Sequence, residues 1–311
     1  MTEETRAASS LRFLNEDEIR PLLSLADLIP AMERALVDFS AGRVQQPVRS
    51  VIPIPQQTGL MGGMGIMPAV YGEVMGAKLV NLIPDNASCG LPTHQAVIAL
   101  FRSDTGEPLA MMDGRLITEL RTAAVSAVAT KLLSASNARS LAILGSGVQA
   151  RSHLRALTLV REFDDVRVWS RNRQHAVALA DEIGARATSA EDAVRGADVV
   201  VTVTNSPAPV LHGAWLKPGA LVNAVGAVGR KNRELDDDAM RGAVIVDSRE
   251  AAMKESGDVL LANAVIYAEL GELLAGTKPA PQSEITVFKS LGLAVEDLAA
   301  AKLVLDALGK R

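Results

Sequence analysis

The stretch LAILGSGVQA, from Leu141 to Ala150, decides the fold of this chain. An apolar run ends at Gly145, and the helical pattern VQARSHLRALTLV begins directly after Gly147. Gly145, Gly147 and Ala150 therefore occupy a G-x-G-x-x-G/A frame between a predicted strand and a predicted helix. The two glycines permit a tight turn and close approach of the backbone to a pyrophosphate, and Ala150 lets helix and strand pack closely. The frame in this context predicts dinucleotide binding, and the alternative is an ordinary turn between a strand and a helix.

The segments after this turn alternate between strand and helix patterns. VRVWS, ADVVVTVTNS, ALVNAVG and AVIVDS are continuous apolar strands, and NRQHAVALADEIG has helical spacing. This order predicts a parallel sheet covered on both faces, with a ligand crevice at the carboxyl ends of its strands. The predicted cofactor contacts at those ends are Gly145, Gly147, Val148, Gln149, Ala150, Ser170, Arg171, Arg173, Thr202, Val203, Thr204, Val225 and Gly226.

The end of the second predicted strand indicates which dinucleotide is bound. Readers of NAD place an acidic residue there for the ribose hydroxyls, whereas this chain has Ser170 followed by Arg171 and Arg173. No carboxylate would repel a 2′-phosphate, and two guanidinium groups can bind it. NADP(H) is therefore the predicted cofactor, with NAD(H) possible. The alternative is that both arginines are solvated residues at a helix start.

The residues before the glycine turn form a second predicted region. A polar tail, residues 1–10, precedes a helix from Ser24 to Gly42. Short apolar runs between Arg49 and Gly114 predict a mostly antiparallel sheet with a helix, including a hairpin that turns at residues 104–106. A long alanine-rich helix is predicted to begin at Thr118. The segment AVEDLAAAKLVLDAL predicts an amphipathic helix near the end of the chain.

Composition excludes several classes of protein. The chain has 311 residues with 48% hydrophobic content, enough for one large or two ordinary cores. A net charge of −4 without a basic stripe argues against nucleic acid as a partner. One cysteine and four scattered histidines predict neither a disulfide within the chain nor a metal site. No apolar run reaches the roughly 18 residues of a membrane span, and the polar start lacks a signal core, so the expected location is the cytoplasm.

Several motifs in fixed order carry a resemblance to a known family. They are PVRS, GAKLVN, LRTAAVSA, LGSGVQA, RELDDD and ITVFKSLGLAVEDL. Together they make the chain similar to the ornithine cyclodeaminase/mu-crystallin family. The resemblance implies an α/β homodimer in which a doubly wound Rossmann domain, residues 119–291, is inserted in an α+β substrate and dimerisation domain. That second domain would comprise residues 1–118, completed by a C-terminal helix, residues 292–311.

The resemblance also assigns roles to individual residues. Arg49 in PVRS and Arg121 in LRTAA match the family's ligands of the substrate carboxylate, which suits a bidentate guanidinium. Lys78 in GAKLVN matches the family's active-site lysine, which can trade a proton when its pKa is lowered. His94 matches a position near the cofactor, and Thr122 is included among the predicted cofactor contacts. The alternatives are a surface charge at a strand start for Arg49, a salt bridge at a helix start for Arg121 and a solvated strand residue for Lys78. For His94 the alternative is a hydrogen-bonded structural histidine.

Two departures from the cyclodeaminase pattern weigh on the reaction. Gly65 and Val228 stand where cyclodeaminases carry a glutamate and an aspartate, while Asp236 to Asp238 would approach the crevice only if the alignment shifted. Loss of ammonia requires proton transfers at both nitrogens, for which carboxylates are suited. Reduction of a preformed cyclic imine requires fewer proton transfers. The sequence therefore predicts an NAD(P)H-dependent reductase of small cyclic imino acids. The alternatives are an ornithine cyclodeaminase, an alanine dehydrogenase and a crystallin-like binding protein with little turnover.

Overall fold

The computed structural model describes residues 11–310, so the predicted polar tail, residues 1–10, lies outside the described residues. Two sheets organise this part of the chain, one of six strands and one of eight. Within residues 11–310, no helix is both long and apolar enough to cross a membrane.

The six-stranded sheet forms the first half of the molecule. Its order is β1-β6-β5-β4-β3-β2, and every pair is antiparallel except β1 with β6. The mostly antiparallel prediction is thus confirmed, as is the hairpin, since β5 ends at Arg102 and β6 begins at Pro108. The strands are β1 (Phe13–Leu14), β2 (Ser50–Pro55), β3 (Met61–Tyr71), β4 (Val74–Leu82), β5 (His94–Arg102) and β6 (Pro108–Asp113).

Helices cover one face of this sheet. They are α1 (Glu16–Ile19), α2 (Leu25–Ser40), α3 (Gly114–Leu133) and, from the end of the chain, α10 (Ala294–Gly309). Ser24 caps α2 as predicted, accepting a hydrogen bond from the Asp27 amide at 3.1 Å. The long helix begins at Gly114 rather than at the predicted Thr118. The Asp113 carboxylate accepts from the Arg115 amide at 2.8 Å, so the helix starts directly at the end of β6.

The eight-stranded sheet is parallel throughout, which confirms the Rossmann prediction. Its order, β13-β12-β14-β11-β10-β7-β8-β9, reverses between β7 and β10, where a doubly wound sheet opens its ligand crevice. The strands are β7 (Ser140–Leu144), β8 (Asp165–Trp169), β9 (Arg186–Ala187), β10 (Val199–Thr202), β11 (Ala220–Ala224), β12 (Ala243–Val246), β13 (Ile266–Glu269) and β14 (Ile285–Lys289). The helices are α4 (Val148–Leu157), α5 (Arg173–Ile183), α6 (Ala190–Val194), α7 (Arg249–Glu255), α8 (Gly257–Leu261) and α9 (Leu270–Leu274).

The last helix differs from its prediction. α10 was expected to be amphipathic, yet its first two turns are buried on every side, including Glu296 and Asp297 at 0% exposure. The cause is its position, because α10 packs against α2, α3 and the strands β3 and β4 at once. Two carboxylates of the second half of the chain therefore lie inside the first half of the fold.

Candidate active site

The glycine turn after β7 has the shape that a dinucleotide requires. Gly145 has φ +133°, and a Cβ at this residue would lie 2.7 Å from the carbonyl oxygen of Val203. Gly147 has nothing within 4 Å of its Cβ direction, and no side chain caps the amino end of α4 that follows it. Ala150 is fully buried, which lets α4 pack closely on the sheet. The turn thus leaves room for a pyrophosphate, and the uncapped backbone N–H groups at the start of α4 can bind it.

The end of β8 presents hydroxyl groups and exposed cations. The Ser146 hydroxyl donates to the Ser170 hydroxyl at 2.9 Å, which joins the glycine turn to the end of the second strand. Arg171 and Arg173 are both exposed, and Arg173 is the first residue of α5. The two guanidinium groups are therefore free to face solvent or a phosphate at this edge.

Three of the predicted cofactor contacts have hydroxyl groups that already donate to the protein. Thr202 is buried and donates to Glu234 at 2.8 Å, Thr204 donates to Glu234 at 2.7 Å, and Thr122 donates to the Thr118 carbonyl at 2.6 Å. Val203, Thr204, Val225 and Gly226 are half-buried at the carboxyl ends of β10 and β11. The direct contacts of these residues with a cofactor remain predictions.

Lys78 is a buried lysine at the centre of the first sheet, with 1% of its surface exposed. Its ammonium lies 2.6 Å from Asp297 and donates to the Thr118 hydroxyl at 3.4 Å. Burial lowers the pKa of Lys78 to about 8, although the neighbouring Asp297 carboxylate acts in the opposite direction. A lysine with this pKa can give up or take a proton near neutral pH.

Arg121 reaches the same carboxylate from α3. Its Nε donates to Asp297 at 3.0 Å and its Nη1 to Glu296 at 2.6 Å, and all three side chains are buried. Burial raises the pKa of Glu296 to about 7. Burial would also raise the pKa of Asp297, but the adjacent Arg121 and Lys78 outweigh it and lower that pKa. Asp297 thus holds two cations in place.

Arg49 approaches this cluster from the segment before β2. Its Nε lies 3.0 Å from the Glu255 carboxylate, and its Nη2 donates to the carbonyl oxygens of Leu291 and Gly292, each at 2.7 Å. A Cβ at Gly292 would lie 2.6 Å from Nη1 of Arg121. Gly292 therefore lies between the two guanidinium groups. The two predicted ligands of the substrate carboxylate are thus close together.

A small cavity of about 20 Å³ lies beside Arg49. Its polar lining includes Glu250 and Glu255, and its apolar lining includes Met67, whose partner in the register of β3 and β4 is Lys78. The remaining apolar lining is Phe39, Pro47, Val48, Ala251, Leu293 and Ala294. The lining combines one guanidinium group with apolar walls, which is the chemistry that recognises a small ring carrying a carboxylate.

His94 stands at the first position of β5, near the same cations. Burial, together with the positive charges of Lys78 and Arg121, lowers the pKa of His94 to about 4. The imidazole is consequently neutral at neutral pH. It can donate or accept a hydrogen bond near the site without adding a charge.

The structure locates the two positions that lack an acid. Gly65 lies two residues before Met67, and a Cβ there would meet a methyl group of Val80 at 2.9 Å, so a larger side chain requires a local shift. Val228 is 42% exposed beyond the end of β11. Its neighbour Gly229 donates to the Glu255 carbonyl at 3.1 Å, so this loop reaches the residue that pairs with Arg49.

Four carboxylates of the site escaped the sequence prediction: Glu234, Glu255, Glu296 and Asp297. Glu234 lies in RELDDD, and Glu296 and Asp297 lie in ITVFKSLGLAVEDL, but these motifs indicated only the family and gave no role to the three carboxylates. Asp236, one of the three aspartates that a shifted alignment would have offered, binds His212 at 3.0 Å and the Gly213 amide at 2.9 Å. It is thus held by the loop before β11 and does not join the cluster around Lys78.

The profile of the ornithine cyclodeaminase/mu-crystallin family matches residues 11–311. The chain belongs to this family. Its match covers both sheets and includes every residue of the cluster around Asp297. The matched span therefore contains the Rossmann turn, the buried lysine and the two arginines.

Individual members of the ornithine cyclodeaminase/mu-crystallin family resemble the chain over nearly all of its length. The ketimine reductase mu-crystallin of Mus musculus is 49% identical over 304 residues, covering 94% of this chain and 96% of that protein. The Δ1-pyrroline-2-carboxylate reductase of Thermococcus litoralis, solved with NADH and L-proline, superposes with a TM-score of 0.90 and 34% identity, covering 96% and 98% of the two chains. An archaeal alanine dehydrogenase dimer with bound NAD has a TM-score of 0.88 and 32% identity, covering 96% and 97%.

Proposed function

We propose that this protein is an NAD(P)H-dependent reductase of small cyclic imino acids, of the pyrroline-2-carboxylate or piperideine-2-carboxylate type. The observation that carries the proposal is the buried cluster in which Asp297 holds both Lys78 and Arg121. Arg49 lies on the other side of Gly292 from Arg121. It is supported by the names of two relatives, a ketimine reductase and a Δ1-pyrroline-2-carboxylate reductase.

The side chains divide the work of imine reduction between them. A bound nicotinamide cofactor supplies the hydride that the imine carbon receives. Arg49 and Arg121 bind and orient the carboxylate, because guanidinium groups keep their charge when buried. Lys78 gives the proton that the ring nitrogen takes up, and Asp297 holds its ammonium in position at 2.6 Å. The apolar walls beside Met67 exclude water from the reacting carbon.

Cyclodeamination of a diamino acid is the second candidate. Glu250 and Glu255 line the cavity, and a carboxylate there can hold a second ammonium. However, Glu255 is already paired with Arg49, and the acids that cyclodeaminases carry are replaced by Gly65 and Val228. The geometry therefore favours reduction of an imine that forms elsewhere.

An assay with purified protein separates these candidates. With pyrroline-2-carboxylate and NADPH or NADH, we expect the absorbance of the reduced cofactor to fall and proline to form. Ammonia release from ornithine and NAD⁺, without oxidation of reduced cofactor by any cyclic imine, would instead identify a cyclodeaminase. Tight binding of NADPH without turnover of either substrate would indicate a binding protein. Pyruvate with ammonia tests the alanine dehydrogenase reaction in the same cuvette.

We propose further that NADP(H) is preferred over NAD(H), with Ser170, Arg171 and Arg173 around the 2′-phosphate. The Arg171→Ala variant is expected to raise the KM for NADPH about 10-fold, since one charge-assisted hydrogen bond contributes ~1.5–3 kcal/mol. The KM for NADH should change less than about twofold, because NADH lacks the phosphate. Initial rates with each cofactor measure both effects.

The matched control is Arg195→Ala, which removes an exposed arginine that precedes β10, at the opposite edge of the sheet. It should leave the KM for both cofactors unchanged. Equal effects of Arg171→Ala on NADPH and NADH would remove the phosphate-binding role from Arg171.

We also propose that the protein is a homodimer in which each subunit binds a small imino-acid substrate and carries out the reaction on it. Support comes from the dimeric archaeal relative and from large apolar side chains left exposed on the six-stranded sheet. These side chains are Val51, Ile52, Met61, Leu79 and Leu82.

The proposed division of the chain is residues 1–118 with 292–311 for substrate and dimerisation, and 119–291 for the cofactor. Cys89, an exposed free thiol, is compatible with the expected cytoplasmic location.

A further inference from the structure

We propose that Glu234 is a positioning residue that joins two loops of the dinucleotide site and thereby fixes the nicotinamide half of the bound cofactor. It lies in RELDDD, a motif whose acids the function has not otherwise used. The inference rests on the proposed use of NAD(P)H and assigns a role to a carboxylate that does not touch the reacting atoms.

Glu234 is fully buried and accepts hydrogen bonds from both loops. Its Oε1 accepts from the Thr204 amide at 2.6 Å and from the Thr204 hydroxyl at 2.7 Å, in the loop after β10. Its Oε2 accepts from the Thr202 hydroxyl at 2.8 Å, at the end of β10. The same oxygen accepts from the amides of Gly226 at 2.8 Å and Ala227 at 3.2 Å, in the loop after β11. One carboxylate therefore binds the ends of two adjacent strands.

The two loops are also in direct contact with each other. A Cβ at Gly226 would lie 2.2 Å from the Thr204 carbonyl oxygen and 2.6 Å from Oε1 of Glu234. No residue larger than glycine fits between them. A displacement of either loop must therefore move the other, and Glu234 lies at the junction.

Position in the sheet assigns these loops to one half of the cofactor. A doubly wound sheet binds a dinucleotide with two mononucleotide-binding halves that meet where the strand order reverses. The glycine turn after β7 and Ser170 after β8 belong to the adenosine half. Thr204 and Gly226 follow β10 and β11, on the other side of the reversal, and belong to the nicotinamide half.

Glu234 is itself held by a buried network of hydrogen bonds and one ion pair. Asp258 accepts from the amides of Glu234 at 2.8 Å and Leu235 at 3.0 Å, and its second oxygen lies 3.0 Å from the ammonium of Lys289. Lys289 in turn donates to the Ala227 carbonyl at 2.8 Å, which connects this network to the loop after β11. Glu234, Asp258 and Lys289 have 0% exposure, so the arrangement is rigidly enclosed.

Only a carboxylate satisfies this set of donors. Each oxygen of Glu234 faces N–H and O–H groups, and a carboxylate accepts hydrogen bonds with both oxygens. Glutamine has nearly the same shape but replaces one oxygen by an NH₂ group. In Glu234→Gln that group must point its hydrogens at other donors, which drives one loop away from the other.

The test compares binding of the whole cofactor with binding of its adenosine half. By isothermal titration calorimetry, Glu234→Gln should bind NADPH and NADH about 10-fold more weakly than the wild-type protein. ADP and adenosine 2′,5′-bisphosphate carry no nicotinamide and should bind within about twofold of wild type. A general loss of structure would weaken all four ligands together, so the split between them is specific to positioning.

Asp198 provides a matched control within the same sheet. It accepts from the amides of Arg139 and Ser140 at 2.8 and 2.9 Å and pairs with Lys217 at 2.5 Å, at the edge opposite the crevice. Asp198→Asn should lower the melting temperature without changing the affinity for any of the four ligands. Thr204→Val, which removes one donor to Glu234, is the milder variant if Glu234→Gln does not fold, and about threefold weaker dinucleotide binding is expected.

The outcomes separate this inference from the proposed function. Unchanged dinucleotide affinity in Glu234→Gln, or equal weakening of dinucleotides and adenosine fragments, would overturn the positioning role alone. If Glu234→Gln does not fold, unchanged dinucleotide affinity in Thr204→Val would overturn it equally. Failure of the wild-type protein to bind either dinucleotide would overturn the proposed function and this inference with it.

Discussion

The Lys78→Met variant is expected to lose about 10³-fold in kcat for imine reduction, within the ~10²–10⁴-fold that general acid catalysis contributes. Methionine fills nearly the same buried volume, but it has no proton to give to the ring nitrogen. Affinity for NAD(P)H should change less than twofold, because Lys78 lies on β4 and not in the Rossmann sheet. Steady-state kinetics and cofactor titration on the same preparation measure both quantities.

Lys131→Met is the matched control for this result. Lys131 lies on α3 in an exposed ion pair with Glu33 at 3.2 Å, so the same substitution there removes a charge without touching the cluster. Its kcat should equal that of the wild-type protein. A Lys78→Met protein that keeps its rate within about threefold would show that the lysine is not the source of the proton.

Asp297→Asn is expected to be the most destabilising of the substitutions considered. Removal of one partner from a buried ion pair costs ~3–5 kcal/mol, because the remaining charge is left in a low-dielectric interior. Here two cations, Lys78 and Arg121, lose their shared carboxylate. The pKa of Asp297 is lowered in the folded protein, so its contribution is present above the unfolded carboxyl pKa and is lost as the pH falls through the folded value.

The same variant changes the pH profile of catalysis in a defined direction. The proton-donating form of Lys78 exists below its pKa of about 8, so wild-type kcat/KM should be full below that pH and fall as the pH rises through it. Asp297 raises the pKa of Lys78, and its neutralisation must therefore lower that pKa. In Asp297→Asn the alkaline decline should begin at a lower pH.

Urea unfolding and pH–rate profiles measure these two effects, and Glu33→Gln serves as the control. Glu33 belongs to an exposed ion pair, where loss of a charge costs ~1 kcal/mol or less. Its alkaline limb should coincide with that of the wild-type protein. An unshifted limb in Asp297→Asn would show that this carboxylate does not govern the proton on Lys78.

The fold could be predicted from sequence because its signals are local. The frame at Gly145, Gly147 and Ala150 lies between a strand and a helix pattern, and continuous apolar strands require a covered parallel sheet. The start of α3 was misplaced because Asp113, the last residue of β6, is also the residue that caps the helix. One residue with two structural roles gives only one signal in the sequence.

The site could be predicted only in part, because its charges are completed by distant partners. Lys78, Arg49 and Arg121 were identified by their motifs, but Asp297 lies 176 positions from Arg121. In AVEDLAAA the acids have the spacing of a solvated helix face, and nothing local shows that α10 is surrounded. Glu234 was missed for the same reason, since its donors belong to two other strands.

The position of α10 has a consequence for biosynthesis. Ribosomes add about 5–20 residues per second, so roughly 10–35 s pass between the emergence of Arg121 and that of Asp297. During that interval the nascent first half carries two cations without a counter-charge and an uncovered apolar groove. The Rossmann half, whose parallel strands all lie between Ser140 and Lys289, can fold first. The reactive centre can therefore form only after α10 has emerged, which is later than every strand of the Rossmann half.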